Sequence, residues 1–217
     1  GKPSAAAGNR SDTADIQESA ITLGVALASG NSNPSIRDSY SKFYSKLDSS
    51  WKNTVSAEVD YIVSHFCKKD VYMTSGGGTG GQTVTSSDGI DFLAIIESKF
   101  NEVRPKKGFS LKKYNSWDDS DMFVCRKDFF PTFKSSMEKC TTLTEMLDFL
   151  YKCKTERDAF GVSLKKMGKK TPRALNLGYY PARPSVKDEA AKMAEGMILS
   201  RIKIAPVTLP FKPEEYE

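Results

Sequence analysis

The stretch "TSGGGTGGQT", Thr74 to Thr83, decides how the rest of the chain is read, because Gly76, Gly78 and Gly81 spell a literal G-x-G-x-x-G. Such a loop holds a dinucleotide only when a strand feeds the first glycine and a helix opens at the last. That arrangement points helix-end N–H groups at the pyrophosphate. Upstream, "KKDVYM" (68–73) can pass as a short strand. Downstream, "QTVTSSDG" (82–89) makes a poor first helical turn, and the next credible helix starts several residues late. No G-K-[ST] is present after it, so a P-loop fails as well. The segment therefore reads as a flexible loop joining two helical segments.

On its N-terminal side, residues 1–12 are small and polar and read as a mobile arm. Asp12 can cap a helix with Ile16, Ala20, Leu23 and Leu27 on one face, ended by Gly30. A second pattern runs through Ile36, Tyr40, Phe43, Tyr44 and Leu47. A third runs through Trp51, Val55, Val59, Ile62, Val63 and Phe66. These spacings of three and four mark amphipathic helices.

On the C-terminal side, Ser87 or Asp88 can cap a helix carrying Leu93, Ile96, Phe100 and Val103, stopped before Pro105. "FSLKKYNSWDDSDMFVCRKDFF" (109–130) is less regular and leaves room for one short strand or hairpin around Met122 to Cys125. Pro131 suits the first turn of a helix through Thr132 to Cys140. Thr142 and Glu145 form a capping box ahead of Met146, Leu147, Leu150 and Cys153. Thr155 with Asp158 resembles another helix start, leading to Phe160, Leu164 and Met167. "TPRALNLGYYPARP" (171–184) reads as a proline-punctuated loop, and Ser185 with Asp188 opens a last helix through Ile198. Pro206, Pro210 and Pro213 make residues 203–217 an extended arm. The expected fold class is mainly α: a helical core over 13–202, extended N- and C-terminal arms, and at most one short β-hairpin.

The 217 residues carry a formal charge of +5, with 39% hydrophobic and 27% charged residues, a globular but polar balance. No apolar run approaches the roughly 20 residues that span a membrane. The first residues lack the apolar core of a signal peptide, which points to a soluble, non-secreted chain. Cys67, Cys125, Cys140 and Cys153 form no C-x-x-C pair, and His65 is the single histidine, so a zinc cluster is not expected. Reduced thiols fit a reducing compartment. Asp118, Asp119 and Asp121 crowd together without the glycine and distal glutamate of a calcium loop. His65 has no nucleophile in a recognisable context, so no catalytic residues, cofactor or metal are expected. Trp51 and Trp117 read as packing anchors.

Two basic segments are more informative. "RPKKGFSLKK" holds Arg104, Lys106, Lys107, Lys112 and Lys113 without an acid, and "KKMGKKTPR" holds Lys165, Lys166, Lys169, Lys170 and Arg173. Clustered cations give sequence-independent affinity for phosphates through counterion release. The nearby aromatics Phe109, Tyr114, Tyr179 and Tyr180 suit stacking on single-stranded nucleic acid.

"FFPTFKSSMEKC" (129–140) and "DAFGVSLKKMGKKTPRA" (158–174) resemble two core segments of the potyvirus-like coat proteins of flexible filamentous plant RNA viruses. In that family the first segment reads roughly P-T-(aromatic or Leu)-R-Q-x-M, and the second A-F-D followed by T-P and an Arg-Ala pair. The resemblance implies a mobile N-terminal arm, a helical core, an extended C-terminal arm and helical polymerisation around viral RNA. It places the arginine of the first segment and the aspartate of A-F-D in the RNA groove. Here Lys134 stands at the arginine position, keeping the charge without the planar fork. Gly161 stands where the aspartate would be, with Asp158 just ahead of Ala159 and Phe160.

The expectation is a non-enzymatic coat or nucleocapsid protein of the virion and host cytoplasm. It forms a homo-oligomeric filament on single-stranded RNA and makes no membrane contact. Arg126 and Lys134 join the two basic segments in neutralising phosphates, Asp158 is counted with them as an RNA-binding residue, and Val207, Leu209 and Phe211 link subunits. Two alternatives stand beside it. One is a helical adaptor for an acidic protein partner. The other is an enzyme using the 76–81 loop.

Overall fold

The computed structural model describes residues 6–78, 83–87, 89–106, 120–164, 172–175 and 201–206. Helices make up more than half of these residues, as the periodicity predicts, but they enclose a larger sheet than one hairpin. Among the described residues the sheet has six strands.

Local chemistry sets the helix starts. In α2 (Pro34–Ser45), the Asn33 side chain accepts from Ser35 N and Pro34 occupies the first turn. In α3 (Ser49–Phe66), Asp48 accepts from Trp51 N. In α4 (Phe92–Val103), the cap is Asp91, which accepts from Ala94 N. The expected cap was Ser87 or Asp88. The hairpin extends to Ser86, whose N donates to Thr74 O at 2.9 Å and whose Oγ accepts from Thr74 N at 2.7 Å, and a turn follows in which Ile90 N donates to Ser87 O at 2.8 Å, so the helix starts later. Proline opens α5 (Phe130–Lys139), and the Thr142–Glu145 capping box opens α6 (Leu143–Thr155) in both of its hydrogen bonds.

The first helix, α1 (Ala6–Ala28), differs from expectation at both levels. It begins within the segment read as an arm. It is also buried nearly all round from Gln17 to Ala26 rather than along one stripe. Its polar residues tolerate this because Ser19 Oγ donates to Asp15 O at 2.6 Å and Thr22 Oγ1 to Glu18 O at 2.7 Å. The helix is thus central, with α2, α3 and the sheet packed around it.

The sheet is mixed. Strand β1 (Tyr72–Gly76) pairs antiparallel with β2 (Val84–Thr85) and with β3 (Met122–Arg126). Strand β3 pairs antiparallel with β4 (Ala159–Ser163), with Val124 opposite Phe160. Strand β4 runs parallel to β6 (Arg201–Pro206), which pairs antiparallel with β5 (Pro172–Leu175). Alternation along the strands divides the core in two. Tyr72, Met122, Val124, Phe160 and Val162 join Ile21, Val25, Val55 and Ile62 of α1 and α3 on one face. Met73, Phe123, Cys125 and Ala159 join Phe92, Phe133, Met137 and Leu147 of α4–α6 on the other. The result is three layers, helix on sheet on helix. Within the second core the rings of Phe92 and Phe133 meet edge to face at 6.1 Å.

Two further expectations are corrected. Residues 159–163 are a buried strand, not a helix, and 172–175 are a strand, not a loop. Thr155 does not cap a new helix because its hydroxyl donates back to Tyr151 O at 3.0 Å, inside α6. Arg157 at φ 58 then turns the chain, and the sheet edge of β3 captures residues 159–162. The expected last helix at 185–198 lies outside the described residues, as do 1–5 and 207–217.

Candidate functional site

The glycine stretch lies between two antiparallel strands, β1 and β2, not between two helices, and Gly76, Gly77 and Gly78 are its described glycines. Gly76 still belongs to β1. A Cβ there would sit 2.5 Å from Asp121 O, and one on Gly77 (φ 55) would sit 2.6 Å from Ser19 N in α1. This end of the stretch is therefore pressed against α1 and the start of β3. Its amides already have acceptors: Gly77 N donates to Asp121 O at 3.0 Å and Gly78 N to Ser19 Oγ at 2.9 Å. The glycines serve close packing, and neither N–H is available to a phosphate.

Asp158 and Arg126, both read as RNA-facing, meet in a structural ion cluster. Arg126 Nη2 lies 3.1 Å from Asp158 Oδ1, and Lys68 Nζ lies 2.9 Å from the same oxygen. Arg126 Nη1 reaches Asp128 Oδ2 at 2.9 Å, with Asp70 Oδ2 at 3.8 Å. The Asp158 side chain is only 8% exposed, against 22% for Arg126 and 41% for Lys68. Tyr72 completes the knot: its hydroxyl donates to Arg157 O at 2.7 Å and accepts from Lys68 N at 3.1 Å. Burial pushes the Tyr72 phenol up to about 12. Arg126 is therefore paired with carboxylates and Asp158 with cations, so the two residues expected to face RNA are joined to each other.

At Gly161 a Cβ would lie 2.3 Å from Ser120 Oγ and 3.1 Å from Ser120 Cβ, so the aspartate that the coat-protein pattern places at this position would require the Ser120 side chain to turn away.

Lys134 stands exposed on α5, beside a groove of about 580 Å³ between α4 and α5. Ala94, Ile95 and Met137 form its apolar part. Charges in the groove balance: Lys99 Nζ bonds Glu102 at 2.9 Å and the carbonyls of Glu138 and Cys140 at 3.1 and 3.3 Å. Lys99 thereby ties α4 to the C-terminal end of α5. Arg104 caps the end of α4 and Lys106 is exposed just beyond it. Arg173 lies on β5, while Lys107, Lys112, Lys113, Lys165, Lys166, Lys169 and Lys170 lie outside the described residues. Of the two basic segments, only Arg104, Lys106 and Arg173 are placed, and on different elements.

A group that sequence reasoning misses lies on α2 and α3. Tyr40 and Tyr44 stack with centroids 5.3 Å apart, Lys52 Nζ sits 5.6 Å from the Tyr44 ring, and Lys46 Nζ sits 6.0 Å from Phe43. The rings are half-buried, so one side packs on the core while the other meets solvent under an ammonium group. Its signal is aromatic and lysine residues at spacings of three and four, which by themselves read as a core stripe.

The remaining candidates are structural. His65 Nδ1 lies 2.9 Å from Ser64 Oγ and 3.0 Å from Tyr61 O, with its ring stacked on Tyr61 at 4.0 Å. Asp121 accepts from Leu164 N, while Asp118, Asp119 and Trp117 lie outside the described residues. All four thiols are free, and burial pushes Cys67 and Cys153 up to about 12. Among the described residues no cluster of side chains could hold a metal, and no helix is long and apolar enough to cross a membrane. Comparison with protein-family models, with curated proteins and with solved structures finds no match.

Proposed function

We propose that this chain is a non-enzymatic structural protein that polymerises along single-stranded RNA, as a viral coat or nucleocapsid protein of the virion and host cytoplasm. The observation that carries the proposal is the α2–α3 face, where Tyr40, Phe43 and Tyr44 lie under or beside Lys46 and Lys52. Half-buried rings are held in place by the core and offer a π-face, and the ammonium groups beside them can meet phosphates. That combination accepts any base sequence, as a protein coating a whole RNA must. The exposed Lys106 and Lys134 add cations, and the resemblance at 129–140 and 158–174 supports the same reading. In this proposal Arg126 and Asp158 hold the fold and do not touch RNA.

The test is negative-stain microscopy of the purified protein with an absorbance ratio taken before and after ribonuclease. Nuclease-protected filaments support the proposal. Discrete RNA-free particles at low salt overturn it in favour of an adaptor for an acidic partner. In a titration of single-stranded RNA over a salt series, Lys46→Ala/Lys52→Ala should lower the slope of log affinity against log salt by about 1.4, at roughly 0.7 per lost single-strand phosphate contact.

A further inference from the structure

Glu58, on the buried side of α3, is 0% exposed and faces α1. Among the described residues its one hydrogen bond comes from the amide of Gln17, whose Nε2 lies 3.2 Å from Glu58 Oε2, and the other oxygen, Oε1, is buried with no partner among them. The charged groups acting on it are of its own sign, Asp121 ahead of β3 and Glu18 on α1, and none of the described ion pairs includes it. A carboxylate in such a place has lost its water and gained only one neutral donor, so the neutral acid is the form the seam can hold.

We propose that Glu58 is a protonation latch: as the neutral acid it lets α1 and α3 close, and loss of its proton loosens that seam. The surroundings tie the seam to the rest of the fold. Gly78 N rests on Ser19 Oγ of α1, Gly77 N on Asp121 O, and Asp121 N on Val162 O at 2.9 Å. Loosening α1 from α3 therefore also reaches the β1–β2 turn and the edge of β3. Burial pushes the Glu58 carboxyl from its ordinary 4.5 up to about 8; the Gln17 hydrogen bond works against this, and Asp121 and Glu18 add to it.

The raised value sets the sign. Between 4.5 and about 8 the folded chain binds a proton that the unfolded chain has released. The stability this proton contributes is complete below 4.5 and is lost as the pH rises through about 8. One proton linked in this way raises the unfolding equilibrium constant by up to about tenfold per pH unit inside that window. The latch is independent of RNA binding, and the chain alone suffices to test it.

The experiment is a urea unfolding series across that pH range on the wild-type chain and Glu58→Gln, with a carbon-13 carboxyl titration of the wild-type chain. Wild type should lose stability with rising pH, and Glu58→Gln should lack that component. The Glu58 resonance should titrate well above the other glutamates, near 8. A Glu58 resonance titrating with the other glutamates overturns the latch, as do identical pH slopes for the two chains. If Glu58→Gln does not fold, the wild-type titration decides alone.

Discussion

Arg126 and Lys68, 58 positions apart in the chain, share one oxygen: Oδ1 of Asp158 lies 3.1 Å from Arg126 Nη2 and 2.9 Å from Lys68 Nζ. The carboxylate lies nearly buried at the turn entering β4, and its two cations come from the end of β3 and from the segment after α3. One acid therefore joins the connection after α3 to the two central strands, β3 and β4.

Asp158→Ala should destabilise the fold by about 2–3 kcal/mol. That is below the usual 3–5 for breaking a buried pair, because Lys68 is 41% exposed and returns to water. The Arg126→Met/Asp158→Leu double variant should lose less than the sum of the single changes, since neither partner is left unpaired. Urea midpoints of wild type, Arg126→Met, Asp158→Leu and the double variant check the coupling, and that of Asp158→Ala checks the first value. Equal, additive losses would mean that the cluster carries no coupling.

Gly77→Ala and Gly89→Ala separate backbone conformation from crowding. Both positions have positive φ, 55° and 71°, but a Cβ on Gly77 would meet Ser19 N at 2.6 Å while one on Gly89 meets nothing within 4 Å. Gly89→Ala should cost the conformational term of about 1–2 kcal/mol. Gly77→Ala should cost at least about 2 kcal/mol more, because the β1–β2 turn must lift from α1. Thermal melts of the two variants read the difference directly.

Gly161→Asp should give no folded protein at room temperature. It places a charged carboxylate in a strand buried at the sheet centre. Gly161→Ala should fold with a smaller loss, because the atom it meets at 2.3 Å is Ser120 Oγ, the outer end of a side chain that can turn away, and a Ser120→Gly background should remove that loss. Circular dichroism of the three chains checks this. A well-folded Gly161→Asp would revive the coat-protein aspartate at this position.

The thiols should be inert in the native state. Burial holds Cys67 and Cys153 near 12 and pushes Cys125 and Cys140 up as well. A group at 12 carries on the order of a thousandfold less thiolate near pH 8 than an ordinary thiol. A disulfide-exchange reagent should therefore titrate all four only after unfolding. Rapid native reaction of one thiol would show that its burial is transient.

The helices from α2 to α6 were legible because their determinants are local. Asn33, Asp48, Pro131 and the Thr142–Glu145 box act within one turn, and apolar spacing of three and four needs no knowledge of the partner. Even there the α4 cap is Asp91 and not Ser87 or Asp88, because the hairpin runs on to Ser86 and a turn from Ser87 to Ile90 precedes the helix. The candidate site was less legible. The sequence placed Arg126 and Asp158 on an RNA surface, whereas the fold brings them face to face.

What the sequence by itself determined is a set of capped helices, an overall helical majority and a glycine stretch unsuited to phosphate. What only the tertiary structure decided is the sheet and everything joined through it. A five-residue segment such as Ala159–Ser163 has no periodicity long enough to read, and it becomes a strand because β3, tens of residues earlier, offers it a paired edge. The same holds for α1, where serine and threonine hydroxyls satisfied within the helix let polar positions enter a core. Helix signals act over three or four residues, while strand pairing and ion clusters act across tens. Only folding brings those partners together.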